Sequence, residues 1–235
     1  MIKAELIKNS PLRILEKTTH GGVGKGNIGI ISARKGVGKT ACLVHIATDQ
    51  LFQEKHVIHV SFSSNTSHII SWYEDIFAEI SKRLELENAM QVHDEIIKNR
   101  VIMNFNQEGV SIDQIIKSLA AMIKQGAFQA DCIIFDGYSF PNGNPLDFKK
   151  LKDFASELKL ELWFSASLQD KEYTCDEKGI PVVLSPYLDQ VAILIMLQPF
   201  TGYIRLELKK DHDNTKLQDM HLKLDPKILL LMKDE

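Results

Sequence analysis

Cysteine is scarce: three residues in 235, Cys42, Cys132 and Cys175, with no CxxC spacing and one necessarily unpaired. That excludes a disulfide scaffold and a thiolate zinc site, and it implies a reduced, cytoplasmic chain. Long apolar runs are also lacking. The longest, Val191–Leu197, falls far short of the roughly 20 residues that a membrane helix needs. The first residues, MIKAELIKNSPLR, carry no apolar signal core, so neither membrane nor secretion is expected. Strong net charge is missing too. The balance is −3, which gives no general attraction to nucleic acid and, with 44% hydrophobic residues, excludes a disordered chain. The eight histidines, His56, His59 and His68 among them, show no metal-ligand spacing. No repeat or low-complexity linker divides the chain.

Strand and helix patterns alternate along the sequence. Strands are read at Asn27–Ser32, Val57–Phe62, Asp131–Asp136 and Glu161–Ser165. Helices are read at Lys39–Leu51, about Ser67–Glu87, from a Ser111 cap to Gly126, and at Leu146–Leu158. Residues 88–108 read as helical and then as a loop. Val191–Leu197, Gly202–Lys209, His221–Leu224 and Ile228–Met232 read as closing strands. The expectation is an α/β fold with a mostly parallel twisted sheet flanked by helices and an antiparallel C-terminal edge. Residues 1–26 read as a lead-in and 27–235 as the domain. Trp72, Ile76 and Ile80 recur at helical spacing, the mark of a core face.

The informative segment is Ala33-Arg34-Lys35-Gly36-Val37-Gly38-Lys39-Thr40-Ala41, between a strand and a helix. Its Gly-Lys-Thr ending is that of a phosphate-binding loop. Gly36 and Gly38 let the backbone curl so that amides point at phosphate oxygens, and the helix start adds its positive dipole end. Lys39 is placed for the β- and γ-phosphates, and the Thr40 hydroxyl for Mg²⁺. The partner acid is Asp136, closing the apolar strand Cys132–Phe135. A second glycine-rich stretch, Gly21–Gly26, precedes a strand instead of following one. It lacks the context of a dinucleotide site and reads as a flexible lead-in.

These motifs resemble the RecA-like core of replicative hexameric helicases of the DnaB type, and more loosely the KaiC-like ATPases. IISARKGVGKTA is similar to the helicase loop, which also has Ala-Arg where most have Gly-x. VIHVSFSSN and Leu151–Asp170 lie where that family has its second strand and its helix–strand–sensor region. A ParA/MinD-type resemblance fails because Arg34 stands where the signature lysine would be. The likeness implies a RecA-like P-loop NTPase fold with ATP and Mg²⁺ as cofactors, Thr40 and Asp136 holding the metal.

Departures from the family pattern shape the functional expectation. The family's catalytic Glu falls at Ser63, within Ser61–Asn65, and a serine hydroxyl is a poor general base. The glutamine sensor falls near Ser167. The arginine finger falls at Lys210-Asp211-His212, where His212 replaces Arg; a finger supplies about 10³–10⁵ in turnover. Glu74–Asp75 and Glu85/Glu87 are candidate substitute acids. No catalytic residue is assigned. The loops that would carry nucleic acid are neutral (Ser139–Pro145) or acidic (Asp170–Pro181, with Glu172, Asp176 and Glu177 against Lys171 and Lys178), which disfavours DNA. The expectation is an ATP–Mg²⁺-binding regulatory or assembly factor with slow or absent hydrolysis, self-associating or acting on a protein partner. The alternative is an active ATPase, DNA-dependent or not, whose acid or finger comes from an unrecognised position or a neighbouring subunit.

Overall fold

A computed structural model gives the fold and describes residues 2–63, 66–106, 109–126, 128–168 and 173–234. Its centre is one nine-stranded sheet in the order β3-β2-β4-β5-β1-β6-β7-β8-β9. The strands are β1 (Ile28–Arg34), β2 (Val57–Ser61), β3 (Arg100–Asn104), β4 (Cys132–Asp136), β5 (Glu161–Leu168), β6 (Ile193–Phe200), β7 (Tyr203–Asp211), β8 (Leu222–Leu224) and β9 (Leu231–Lys233). Strands β1 to β6 are parallel, and β7, β8 and β9 add on antiparallel. The expected architecture is therefore present, with its antiparallel C-terminal edge.

The central strands β2 and β4 are buried at every position and β1 up to Arg34. Such strands read as continuous apolar runs because helices cover both faces. On one face lie α3 (Lys39–Phe52) and α4 (Ser67–Arg83), and on the other α6 (Ile112–Lys124) and α7 (Pro145–Leu158). Helix α6 starts as the sequence predicts. The Ser111 hydroxyl accepts the Gln114 N–H, and the Gln114 side chain accepts the Ser111 N–H. In the second core, Phe135 and Phe164 stack with centroids 4.5 Å apart, and Tyr138, Phe140 and Phe148 close around Phe164. This packing draws Phe140 of the Ser139–Pro145 loop inward.

Three features depart from the sequence reading. Residues 88–108 contain α5 (Ala89–Ile96) and then β3, an edge strand, where a loop is expected. Ile76 and Ile80 are core, whereas Trp72 is only half-buried. Ahead of β1, α1 (Ile2–Asn9) and α2 (Leu12–Thr18) bury Leu6, Leu12 and Leu15 in the same core as α3. The Gly21–Gly26 turn between α2 and β1 is anchored. Val23 is fully buried, the Gly26 N–H donates to Leu160 O at 2.7 Å, and Lys152 Nζ donates to Gly26 O at 2.5 Å. Covered by α1, α4 and the C-terminal strands, α3 is buried at every position except Thr40.

Candidate functional site

Strand β1 ends at Arg34, and α3 starts at Lys39, so residues 35–38 form the tight connection. Gly36 and Gly38 have φ of +83° and +108°, a region L-residues avoid. Gly38 carries a second constraint: a Cβ there would meet the Leu224 side chain of β8 at a distance real Cβ atoms do not show. The loop is thus walled by the last strands of the sheet. Ala33 is buried, while Arg34, Lys35 and Gly36 are exposed. Val37 packs on the α3 side of the core, and Ala41 is fully buried beneath the loop.

Lys39 folds back under the loop. Its Nζ donates to Ala33 O at 3.1 Å and to Arg34 O at 2.8 Å. Burial lowers its pKa to about 8, opposed by the nearby Asp136 carboxylate. The cation is held close to the loop by weak carbonyl acceptors, which an anion would replace with stronger, charge-assisted bonds.

Strand β4 carries Asp136 to the same end of the sheet. One strand, β5, separates it from β1. Helix α3 crosses that gap, and the Thr40 Oγ1 donates to Asp136 Oδ2 at 2.9 Å across 96 positions of sequence. The turn after Asp136 is held by the Gly137 N–H, which donates to Ser165 Oγ at 2.8 Å. Ser165 is a site residue that the sequence reading missed; only register shows that it lies beside Asp136. A hydroxyl and a carboxylate within hydrogen-bonding reach form the donor pair that a hard cation takes when phosphates and waters complete its shell. Among the described residues, no three His, Cys, Asp or Glu side chains gather into a metal cage.

The remaining predicted positions fall around this centre. Ser63 follows β2, its Oγ 2.9 Å from Ser61 Oγ and its carbonyl accepting from Asn104 Nδ2 at 2.8 Å. Ser167 is exposed and pairs in register with Ala33. The Arg34 guanidinium lies 5.7 Å from the Tyr173 ring centroid, another contact the sequence did not reveal. Ser64, Asn65 and Asp170–Glu172 lie outside the described residues.

Lys210–His212 lie at the opposite end of the sheet. Asp211 is in register with Ile193, which pairs with Gly29 at the start of β1. There His212 Nδ1 is 2.9 Å from Asp211 Oδ1 and Nε2 is 3.3 Å from Val23 O. His212 thus fastens the Gly21–Gly26 turn to the end of β7. Of the candidate acids, Glu74 is tied to His93 at 2.7 Å and faces Arg100 at 3.8 Å. Glu85 and Glu87 lie beside Glu5 and Leu6 of α1, away from the loop.

The chain superposes on the solved ATPase domain of a DnaB-type helicase with a TM-score of 0.71, covering 96% of this chain and 90% of that one. The fold is RecA-like. Sequence identity over that match is 15%, so the likeness is one of architecture. No protein-family model matches the chain, and neither does any curated protein. The RecA-like core is a nucleotide-binding architecture, and it puts the strand–loop–helix of residues 28–52 and the acid of β4 where the sequence resemblance implies. No described helix is long and apolar enough to cross a membrane.

Proposed function

We propose that this chain binds ATP with Mg²⁺ at Ala33–Ala41 and serves as a nucleotide-dependent regulatory or assembly factor that hydrolyses slowly or not at all. The observation that carries the reading is the convergence of Lys39, Thr40 and Asp136 beneath one loop, with no water-activating acid or finger beside them among the described residues. Loop amides and the α3 N-terminus would hold the phosphates, and Lys39 would swing from the Ala33 and Arg34 carbonyls to the β- and γ-oxygens. Thr40 and Asp136 would hold Mg²⁺, which when bound neutralises phosphate charge. Asp136 would act through a metal-bound water.

Turnover needs an oriented water and a cation on the transferring phosphoryl group. Ser63 offers a hydroxyl already engaged with Ser61. Residues 210–212 cannot reach the loop of their own chain, so a finger from this region would have to come from a neighbouring copy. The acidic Asp176 and Glu177 near the loop end of β5 support a protein partner over DNA.

Mg-ATP at 100 times its Kd should stabilise the fold by about 2.7 kcal/mol, seen as a raised Tm. Lys39→Ala should remove most of that shift, and turnover should stay well below about 1 s⁻¹. Wild-type turnover of several per second, lost in Lys39→Ala, would make the protein an active ATPase instead. Stimulation by single-stranded DNA would establish a motor.

A further inference from the structure

A cavity of about 480 Å³ lies at the far end of α3 from the phosphate loop, enclosed by α1, α2, α4 and β9. That size is within the range of small-molecule sites, roughly 300–1,000 Å³. Its walls are apolar, built from Leu6, Phe52, Ile80 and Leu230, all buried.

The polar groups in this cavity are few and incompletely satisfied. Asp49 is 3% exposed. One of its oxygens, Oδ2, pairs with the Arg13 guanidinium and accepts from Gln53 Nε2 at 2.7 Å. Its Oδ1 has no partner, and neither has Arg13 Nε. His45 also lines the cavity. Its Nδ1 accepts the Leu231 N–H at 3.0 Å, so the ring proton sits on Nε2, and no described protein group accepts it. Leaving buried polar atoms unpaired is costly, and an apolar space with converging unpaired donors is a typical ligand site. A water would satisfy one of these atoms but would gain nothing from the apolar walls.

Charge indicates what fits. Lys8, Arg83 and Lys233 stand around the cavity. Arg83 is paired with Glu79 at 3.3 Å, whereas Lys8 and Lys233 form no ion pair among the described residues. The single lining carboxylate, Asp49, is already neutralised by Arg13, which also pairs with Glu16 at 2.8 Å. Two unsatisfied N–H donors inside and unpaired cations around the cavity select an acceptor of negative charge.

We infer that this cavity is a second ligand site, which takes a small organic anion with an apolar body, such as a medium-chain or aryl carboxylate. The acid group meets Arg13 Nε and His45 Nε2, and the apolar body fills the space between Phe52, Ile80 and Leu230. The site does not depend on nucleotide binding at the loop.

The test uses the full chain without nucleotide, with anilinonaphthalene sulfonate as the fluorescent probe and decanoate as its competitor. One displaceable probe per chain is expected, with decanoate competing at least tenfold better than neutral decanol. Leu230→Trp should fill the space and weaken the probe at least tenfold. The surface pair Lys8→Glu with Lys233→Glu should weaken decanoate about fivefold and leave decanol unchanged. If Leu230→Trp does not fold, the charge-reversed pair decides. No displaceable probe, or equal competition by decanol together with indifference to charge reversal, would overturn the assignment. Neither result bears on Mg-ATP binding, which is read by the Lys39→Ala comparison.

Discussion

Replacing Gly38 by Ala should damage the protein in two separable ways. The residue sits at φ +108°, and the left-handed region costs an ordinary L-residue about 1–2 kcal/mol. The new methyl would also collide with Leu224, a fully buried side chain whose strand is hydrogen-bonded on both sides. Overpacking of that kind costs about 1–3 kcal/mol. A total near 3 kcal/mol lowers Tm by about 6–12 °C in a domain of this size. Leu224→Ala alone removes a buried leucine and should cost about 2–5 kcal/mol. In the double variant the collision is gone, so the two costs should fall short of additivity by about 1–3 kcal/mol. Urea unfolding of the four proteins, with fluorescence and circular dichroism required to coincide, gives that coupling energy directly. Costs that add within about 0.5 kcal/mol would refute the claim that β8 walls the phosphate loop.

Four further outcomes follow from the geometry. His45 is buried with its pKa lowered to about 4, so the unfolded chain binds a proton that the folded chain refuses as pH falls from 6.5 to 4. That proton removes about 3 kcal/mol of stability over the window. His45→Asn keeps an acceptor for the Leu231 N–H and should flatten this part of the pH profile, whereas an unchanged profile would place the titration elsewhere. Ser111→Ala should cost about 1 kcal/mol through the lost α6 cap, measured by urea titration, and a neutral result would mean that the cap contributes nothing. Lys39 titrates near 8, so ATP affinity should fall above pH 8, by up to about tenfold per unit, with proton uptake visible by calorimetry. Constant affinity from pH 7 to 9.5 would show that the ammonium does not hold phosphate. Asp136→Ala should weaken ATP binding in Mg²⁺ and barely affect it in EDTA; equal losses would reduce Asp136 to a turn residue.

Much of this was legible in the sequence because it is local. Glycines at 36 and 38, Lys39 and Thr40 announce a strand–loop–helix, and CIIFD announces a buried strand ending in an acid. What stayed hidden is long-range or weakly patterned. Strand β3 is a half-buried edge strand of five residues, so its RVIMN lacks both clear alternation and a long apolar run. Helices α1 and α2 are eight and seven residues long and are separated by Ser10 and Pro11, too short for a firm period. Asp49 looks like a solvent-facing helix residue until Arg13, α1 and β9 are folded over it. Ser165, Leu224 and the inward-turned Phe140 become visible only through strand register and packing.

The contact between Leu224 and the loop has a kinetic consequence. The glycine loop and α3 are sequence neighbours, but the wall against Gly38 and the N–H that His45 accepts come from the other end of the chain; the second pair is 186 positions apart. Contacts of such separation form only after the intervening loop entropy has been overcome. In refolding from urea, helical signal should therefore return before nucleotide-binding competence does. The loop would gain its shape in the final phase, when β8 and β9 dock and the sheet edge closes.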